Sequence, residues 1–489
     1  MDIQIAKLTN GKTIEYIKTD NPPRGTMKYT YFTPDGDAVV QFFNRDVSGD
    51  SDTIKRLEAI IGRYNPTVLS EEGGAIGGTV KTTKYFKKRY CWPFAIVEEP
   101  EFGIVCPIYP PQYFFDENSS DMLKLSGRDK KSNWFTSKNR KYLKREELGD
   151  FRTMLMVSLN LARAVRRLHS SGLAHSDLSN NNVLIDPKTG GCVIIDIDTL
   201  VVPGIFNPSV AGTRGYIAPE VLETLDLEFG NSEKNLPSVY SDLHALPVLI
   251  YEYLFFRHPL IGKKIYCEND AEEDDRLALG KFATFIENPT DMSNRPDDLK
   301  ITVKHLGTSL ENLFIRAFVD GLHDPDMRPT AMEWETALAD TIELLQKCQN
   351  PKCSAKYFVL SDPKNPICPY CGRRVRDENI IRLKVLSPVH GREGQWIETS
   401  ELNISDDTDL FDYHIFSNIR NNEKSSREPL ARVMYYDGQW ILANKGVTGM
   451  MSPKGKAVPI GGAVALSDNV FFHLSTQKNG CAVQVKVYA

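Results

Sequence analysis

Between residues 13 and 43, apolar and polar positions follow the two-residue period of strands or run continuously apolar. Thr13 to Lys18, Met27 to Phe32 and Ala38 to Phe43 are rich in β-branched and aromatic residues, with turn residues Pro34-Asp35-Gly36-Asp37 between the last two. The period then changes. Ile54, Leu57, Ile60 and Ile61 share one face of a helix predicted over Asp52 to Arg63. Trp92 to Glu98 and Gly103 to Tyr109 read as two more strands. From about residue 150 to 345 the pattern is helical: Leu155, Leu159, Ala162, Val165 and Leu168 recur three or four apart. A further helix is expected from Ala331 into Cys348. After Asn379 the chain turns to β. Ile380 to Leu386, Ala431 to Tyr436 and Trp440 to Ala443 read as strands, with an Asp437-Gly438 turn, and Val483 to Val487 as a final edge strand.

Length and charge narrow the class. The 489 residues suggest about three domains of roughly 100 to 200 residues each. A net charge of −5 gives no case for nucleic-acid binding by bulk electrostatics. Met1 to Asn10 lack the charged, apolar, small-residue order of a signal peptide. Val248 to Phe256 is the longest apolar run, and it contains Glu252. The expectation is a cytoplasmic protein with no membrane contact. The polar insert Glu268 to Asp275 carries six carboxylates and reads as a solvated loop, with a partner dock as the sharper alternative.

Candidate chemistry lies between the first two helical stretches of that central region. His175-Ser176-Asp177-Leu178-Ser179-Asn180-Asn181-Asn182-Val183 puts an Asp five residues before an Asn, on a loop between a long helix and a short apolar strand. Phosphoryl transfer needs both: a carboxylate to orient the acceptor hydroxyl and take its proton, and an amide to hold a metal ion on the phosphates. Four further motifs follow in order. They are Val193-Ile194-Ile195-Asp196-Ile197-Asp198, Ala211-Gly212-Thr213-Arg214-Gly215-Tyr216-Ile217-Ala218-Pro219-Glu220, Tyr240-Ser241-Asp242-Leu243-His244-Ala245-Leu246, and Asp324-Pro325-Asp326-Met327-Arg328-Pro329-Thr330.

Together these resemble the protein-kinase family, whose catalytic loop, D-F-G strand end, A-P-E segment, central helix and partner Arg occur in this order. The resemblance implies an α+β, bilobal kinase fold with an N-lobe over 1–115 and a C-lobe over 116–345. It implies Asp177 at the acceptor hydroxyl, with Asn182 and Asp196 holding magnesium on ATP. Asp198 stands where the family has Gly, as a further metal ligand or a solvated turn residue. Ser176 replaces the Arg that answers an activation-loop phosphate, and Ser179 replaces a Lys typical of serine/threonine kinases. Pro247, where the central helix usually has Gly, suggests a kink or an early-turn position.

The N-lobe departs further. The strand that should carry the phosphate-pairing Lys has Gln41, a neutral amide. Lys28, one strand earlier, resembles the relocated lysine of the with-no-lysine kinases, with Glu58 as the helix carboxylate to hold it. Gly25 stands alone in the loop that should cradle the phosphates, and Ile108 is assigned to the nucleotide by the same resemblance. Gly73-Gly74-Ala75-Ile76-Gly77-Gly78 suits phosphate approach but follows the helix, so it reads as a connection.

Nine cysteines sort into two groups. Cys91, Cys106, Cys192, Cys267 and Cys481 are scattered and read as reduced thiols. Cys348-x4-Cys353 and Cys368-x2-Cys371 form two short-spaced pairs, the donor set of a structural tetrahedral zinc. A zinc ribbon is therefore expected over 346–376 and a β-sandwich over 379–489. Pro459 to Asn469 resembles the late strands of forkhead-associated domains, without their glycine-arginine-serine signature.

The Gly25-Thr26-Met27-Lys28 strand, Phe285-Ile286-Glu287-Asn288-Pro289 followed by Ser293-Asn294-Arg295-Pro296, and the cysteine module together resemble bacterial eukaryotic-like kinases of tellurite-resistance-type phosphorylation systems. That resemblance implies protein substrates, with a von Willebrand A protein and a metal-dependent protein phosphatase as partners. The expected function is ATP-dependent transfer of the γ-phosphate to serine/threonine hydroxyls of proteins or of the chain itself. The alternatives are a nucleotide-binding pseudokinase scaffold with a C-terminal recognition module, and a phosphopeptide reader built on the tail.

Overall fold

The computed structural model describes the chain except for residues 1, 26, 45–48, 50, 73–79, 118, 120–122, 203, 207, 209–210, 229, 376–379, 393, 405–407 and 489. The glycine-rich stretch Gly73-Gly74-Ala75-Ile76-Gly77-Gly78 thus lies outside the described residues. The chain forms two compact units. The first comprises Met1–Gly149, Asn160–Asp297 and Ile315–Met332; the second comprises Asp150–Leu159, Asp298–Phe314 and Glu333–Ala489.

The first unit begins with β1 (Asp2–Leu8), β2 (Thr13–Lys18), β3 (Lys28–Phe32), β4 (Ala38–Phe43), α1 (Ser51–Ile61), α2 (Val80–Lys87), β5 (Ala95–Glu99) and β6 (Gly103–Pro107). The strands make one antiparallel sheet in the order β2-β1-β5-β6-β4-β3. β4 explains why. Its sequence is apolar on both faces, so both faces need cover. Val39 and Phe43 pack with Leu57 of α1. Ala38, Val40 and Phe42 pack with Ala6, Leu8 and Tyr16 of the β1–β2 hairpin. Thr13–Lys18 therefore differs from the expected first strand of a three-strand run: its ladder partner is β1, not β3. The outer strands instead meet through side chains, with the Tyr16 and Tyr31 rings 5.3 Å apart.

The helical part of this unit follows. It contains α3 (Asn133–Thr136), the C-terminal half of α4 (Phe151–Ser170), the β7 (Val183–Asp186) and β8 (Gly191–Ile194) hairpin, α5 (Pro219–Glu223), α6 (Val239–Phe255) and α7 (Ala271–Leu279). Gly172, at φ 78°, ends the α4 turn in a conformation that favours glycine. α6 is buried from Ser241 to Leu254 and runs through Pro247 at mid-helix, not in its first turn. The acidic insert is not a loop. Asp270 caps α7, accepting from the amides of Glu272 and Glu273, and Asp274 accepts from those of Tyr266 and Cys267. Acidic residues at a helix start satisfy free N–H groups and complement the dipole, which is why this run folds.

The second unit holds α8 (Thr308–Ile315, to Phe314) and α9 (Ala331–Glu343, from Glu333), where the Phe314 and Trp334 rings pack 4.9 Å apart. α9 stops short of Cys348. The next residues form β9 (Leu345–Lys347), paired with β10 (Tyr357–Val359). Then come β11 (Ile380–Pro388), β12 (Trp396–Ile404), β13 (Thr408–Leu410), α10 (Asp412–Ile415), β14 (Ala431–Tyr436), β15 (Gln439–Asn444), β16 (Ala463–Ala465), β17 (Phe471–His473) and β18 (Ala482–Tyr488). They form two four-stranded sheets, β12-β11-β18-β17 and β13-β14-β15-β16. Leu383, Val385 and Val485 of one sheet and Val433, Leu442 and Val464 of the other share one buried cluster. The last strand is interior, not an edge: β18 lies between β11 and β17, with Val483 and Val485 fully buried. Asp437 (φ 48°) and Gly438 (φ 77°) make the left-handed hairpin turn between β14 and β15.

Candidate active site

The loop after α4 is fixed from three sides. Asp242, in the first turn of α6, accepts from the His175 amide at 2.8 Å and from His169 Nε2 at 3.0 Å. His175 Nε2 lies 3.0 Å from the carbonyl of Ile195 and donates to it. Ser176 adopts φ 64° and donates through Oγ to the carbonyl of Thr199 at 3.1 Å. A non-glycine residue in that region carries strain of about 1–3 kcal/mol and persists only where neighbours over-determine it. Here they set the direction of the next residue, Asp177.

Asp177 is held at both carboxylate oxygens. Asn182 Nδ2 donates to Oδ2 at 2.8 Å and also to the Asp177 carbonyl at 2.8 Å. Thr213 Oγ1 donates to Oδ1 at 2.7 Å. With the Asn182 amide nitrogen engaged on Asp177, its oxygen is the atom left for a cation. Gly212 lets the A-P-E segment approach this loop: at φ 118°, an added Cβ would come within 3.1 Å of Ile217 and 3.3 Å of the Ser176 carbonyl. A small, open cleft is lined by Ser176, Asp177, Gly212, Thr213, Tyr216 and Asp242.

The floor of this region is a buried carboxyl. Glu252 of α6 accepts from Tyr216 Oη at 2.5 Å. Burial raises its pKa to about 7, although hydrogen bonds from Tyr216 and Asn180 pull the other way. Farther along, Glu220 and Arg328 form a bidentate pair, both contacts at 2.8 Å. Arg328 also donates to the carbonyls of Gly321, Tyr240 and Leu322. Arg214, next to Thr213, pairs with Asp275 of α7.

Lys28 faces this loop from β3. Its Nζ lies 3.1 Å from Asp196 Oδ1 and 2.5 Å from Asp198 Oδ1. Burial works against the ammonium, but the two carboxylates outweigh it and hold its pKa above the usual lysine value. Burial likewise pushes the Asp196 carboxyl up, and Lys28 overcomes this to hold it below the usual range. Asp196 sits at φ 56°, a second left-handed non-glycine residue. Its side chain is 40% exposed, against 6% for Asp198. Asp198 is thus not a solvated turn residue: its carboxylate is buried against Lys28.

The structure does not bring every expected residue together. Glu58 is exposed on α1, and the carboxylates at Lys28 are Asp196 and Asp198. From α1 it is Arg56 that reaches the site, donating to the carbonyls of Asp198 at 2.6 Å and Leu200 at 3.4 Å. Gln41 bonds Thr30 Oγ1 at 3.2 Å instead of any charge. Gly25 donates to the Lys28 carbonyl at 2.8 Å, closing a tight turn. Ile108 is half-buried just beyond β6, its amide on the carbonyl of Asp37 at 3.1 Å. Sequence reading missed Arg56 and the pairing role of Asp198. The only signal for them was a second carboxylate two residues after the first.

In the second unit, the four sulfurs of Cys348, Cys353, Cys368 and Cys371 lie within 4.8 Å of one another. Zinc–sulfur bonds of about 2.3 Å put tetrahedral sulfurs about 3.8 Å apart; the Cys348–Cys371 and Cys353–Cys368 distances are 3.5 and 3.9 Å. All four are free thiols, too far apart for disulfides. Burial pushes the Cys371 thiol up, yet hydrogen bonds from the Arg373 amide and the Asn350 side chain prevail and bring its pKa down to about 7. Donor type and spacing both fit a zinc ion.

Residues 131–339 match the family described as protein kinase domain, which implies the bilobal α+β fold. The chain is similar to the anti-Muellerian hormone type-2 receptor of Homo sapiens, 33% identical over 130 residues, 22% of this chain and 22% of that one. It is also similar to a probable serine/threonine-protein kinase, gdt4, of Dictyostelium discoideum, 30% identical over 155 residues, 28% of this chain and 9% of that one. With serine/threonine-protein kinase MRCK gamma of Homo sapiens the figures are 24% over 212 residues, 41% and 12%. The chain thus spans a fifth or less of the length of most of these relatives, and 22% of the receptor. Residues 131–339 are thus similar to a protein kinase domain, and two of these relatives carry the name serine/threonine-protein kinase. Among the described residues, no helix is long and apolar enough to cross a membrane.

Proposed function

We propose that the protein transfers the γ-phosphate of ATP to serine or threonine hydroxyls of protein substrates or of itself. The observation that carries this reading is the double tether on Asp177, with Asn182 on one oxygen and Thr213 on the other. A carboxylate so held can orient an acceptor hydroxyl and take its proton. Asn182 and Asp196 offer the oxygen ligands that magnesium prefers. When bound, that ion neutralises charge on the phosphates. Lys28 supplies the cation that Gln41 does not, while Gly25 and Ile108 are assigned to the nucleotide by the family resemblance. Kinases turn over at roughly 1–100 s⁻¹, and the short Gly25 turn argues for the low end.

The finer assignments belong to the same proposal. The cysteine cluster is a structural zinc ribbon, the two C-terminal sheets form a forkhead-associated-like sandwich, and the protein is cytoplasmic. It belongs to the bacterial tellurite-resistance-type group, with a von Willebrand A protein and a metal-dependent phosphatase as partners. The second reading, a nucleotide-binding scaffold without transfer, draws support from the Gly25 turn and from Lys28 being already paired with Asp196. Incubating purified protein with γ-labelled ATP and magnesium separates the two. Label should appear on the chain or on a generic protein substrate, and Asp177→Ala and Asp196→Ala should each abolish it. Transfer that survives both substitutions would remove these residues from the mechanism.

A further inference from the structure

Three carboxylates were available to hold Lys28, and they are not equivalent. Glu58 is exposed on α1. Asp196 pairs with Lys28 at 3.1 Å but is 40% exposed, so an incoming cation can reach it. Asp198 is 6% exposed, pairs with Lys28 at 2.5 Å, and has its own carbonyl gripped by Arg56 of α1 at 2.6 Å. A carboxylate this buried cannot lose its partner without leaving an uncompensated charge. A carboxylate that must bind a cation, by contrast, has to release its lysine first.

We infer that Asp198 is the positioning residue for Lys28, in place of a helix carboxylate, and that Arg56 ties α1 to it through the backbone. This rests on the kinase reading above. The division of labour follows from exposure. Asp196 exchanges Lys28 for the cation that arrives with the nucleotide. Asp198 keeps Lys28, whose ammonium lies 5.7 Å from the centre of the Phe43 ring, so that the ammonium turns to the phosphates instead of into the cation's place. Without the Asp198 charge, Lys28 has Asp196 alone and competes with the cation for it. The same geometry gives α1 a line to the site that bypasses Glu58: any shift of the helix pulls on the Asp198 and Leu200 carbonyls through Arg56.

The test is a double-mutant cycle on the full chain, reading MgATP affinity by calorimetry and, separately, kcat and KM for transfer. Asp198→Asn should weaken MgATP binding about tenfold or more, within the range for directly coupled residues. It should raise KM more than it lowers kcat. On a Lys28→Met background the same change should cost less than about twofold, because its role is exercised through that lysine. Arg56→Gln should act in the same direction by a smaller factor. Asp198→Ser, which removes the charge without introducing an amide, should match Asp198→Asn, and thermal unfolding identifies any variant that fails to fold. Equal losses with and without Lys28 would overturn the inference, as would a Glu58→Gln loss equal to that of Asp198→Asn. A wild type that binds MgATP without transferring phosphate would sink the kinase reading alone, since the binding cycle still decides the role of Asp198. A wild type that does not bind MgATP would overturn both.

Discussion

Asp177 and Asn182 are five residues apart in one loop, whereas Lys28 and Asp198 are 170 apart, and both pairs lie in the same candidate site. On the acceptor side, each contact is made by a residue of the motifs singled out in the sequence: Asn182 and Thr213 on Asp177, Asp242 on the loop amide, Arg328 on Glu220. On the nucleotide side, the positions that usually act hold Gln41 and an exposed Glu58, and the contacts come from Lys28, Asp198 and Arg56. On the proposed kinase reading, the need for a buried cation near the phosphates is the same in both arrangements. What differs is which strand supplies it and which element balances its charge. Physics requires the charge pair; it does not fix the address.

The perturbation with the largest expected effect asks whether this contrast is confined to the first unit. Thiolate zinc sites contribute about 10–16 kcal/mol at neutral pH. Chelation, or serine at Cys368 and Cys371, should therefore release the metal and loosen the backbone after about residue 345. Hydrogen exchange should find the amides of the Asp177 loop still protected. Equal deprotection of both regions would erase the distinction between the units.

Next is the anchor of the acceptor side. Arg328 places one buried guanidinium on Glu220 and three carbonyls. Breaking such a pair by removing one partner costs about 3–5 kcal/mol. Arg328→Ala should lower the denaturation midpoint accordingly, and a loss under 1 kcal/mol would make the acceptor side less rigid than the geometry implies.

A smaller effect probes the floor beneath the acceptor loop. Glu252 has its pKa raised to about 7 by burial, above the ordinary 4.5 or so of an unfolded chain. A carboxyl raised on folding favours the native state while protonated. Its contribution is complete below about pH 4.5 and is lost as pH rises through about 7, for a total of about 3 kcal/mol. Glu252→Gln should thus stabilise the protein at pH 8 relative to wild type, with the gap closing toward pH 5. Parallel pH profiles of thermal unfolding for the two proteins would contradict the assignment.

The acceptor side was legible in the sequence because its chemistry is local. A nine-residue loop fixes much of its own geometry, and the motif spacing singled out Asp177 and Asn182 together, although their mutual hydrogen bonds emerged only in the structure. The cysteine pairs were legible for the same reason. Strands were readable by alternation, but their partners were not: Thr13–Lys18 has the pattern of a strand, and nothing in it says that it pairs with Asp2–Leu8 instead of Lys28–Phe32. Val483 to Val487 shows the limit again, since its alternation fits an edge as well as the interior place it occupies. The acidic run Glu268 to Asp275 looked like a solvated loop because its charges were counted before their partners were known. Asp270 and Asp274 are spent on backbone amides, and Asp275 on Arg214. Asp198 was ambiguous for a similar reason. A carboxylate two residues from another can face solvent, metal or lysine, and only the fold brings β3 to it.

The relocated lysine is the claim on which the nucleotide side depends, and paired substitutions at residues 28 and 41 test it most directly. Lys28→Met should lower MgATP affinity and phosphate transfer by about tenfold or more, the scale of losing one charge-stabilising donor in a preorganised site. Gln41→Met, on the strand where the cation would ordinarily stand, should change both by less than about threefold. Equal losses at the two positions, or none at Lys28, would contradict the account.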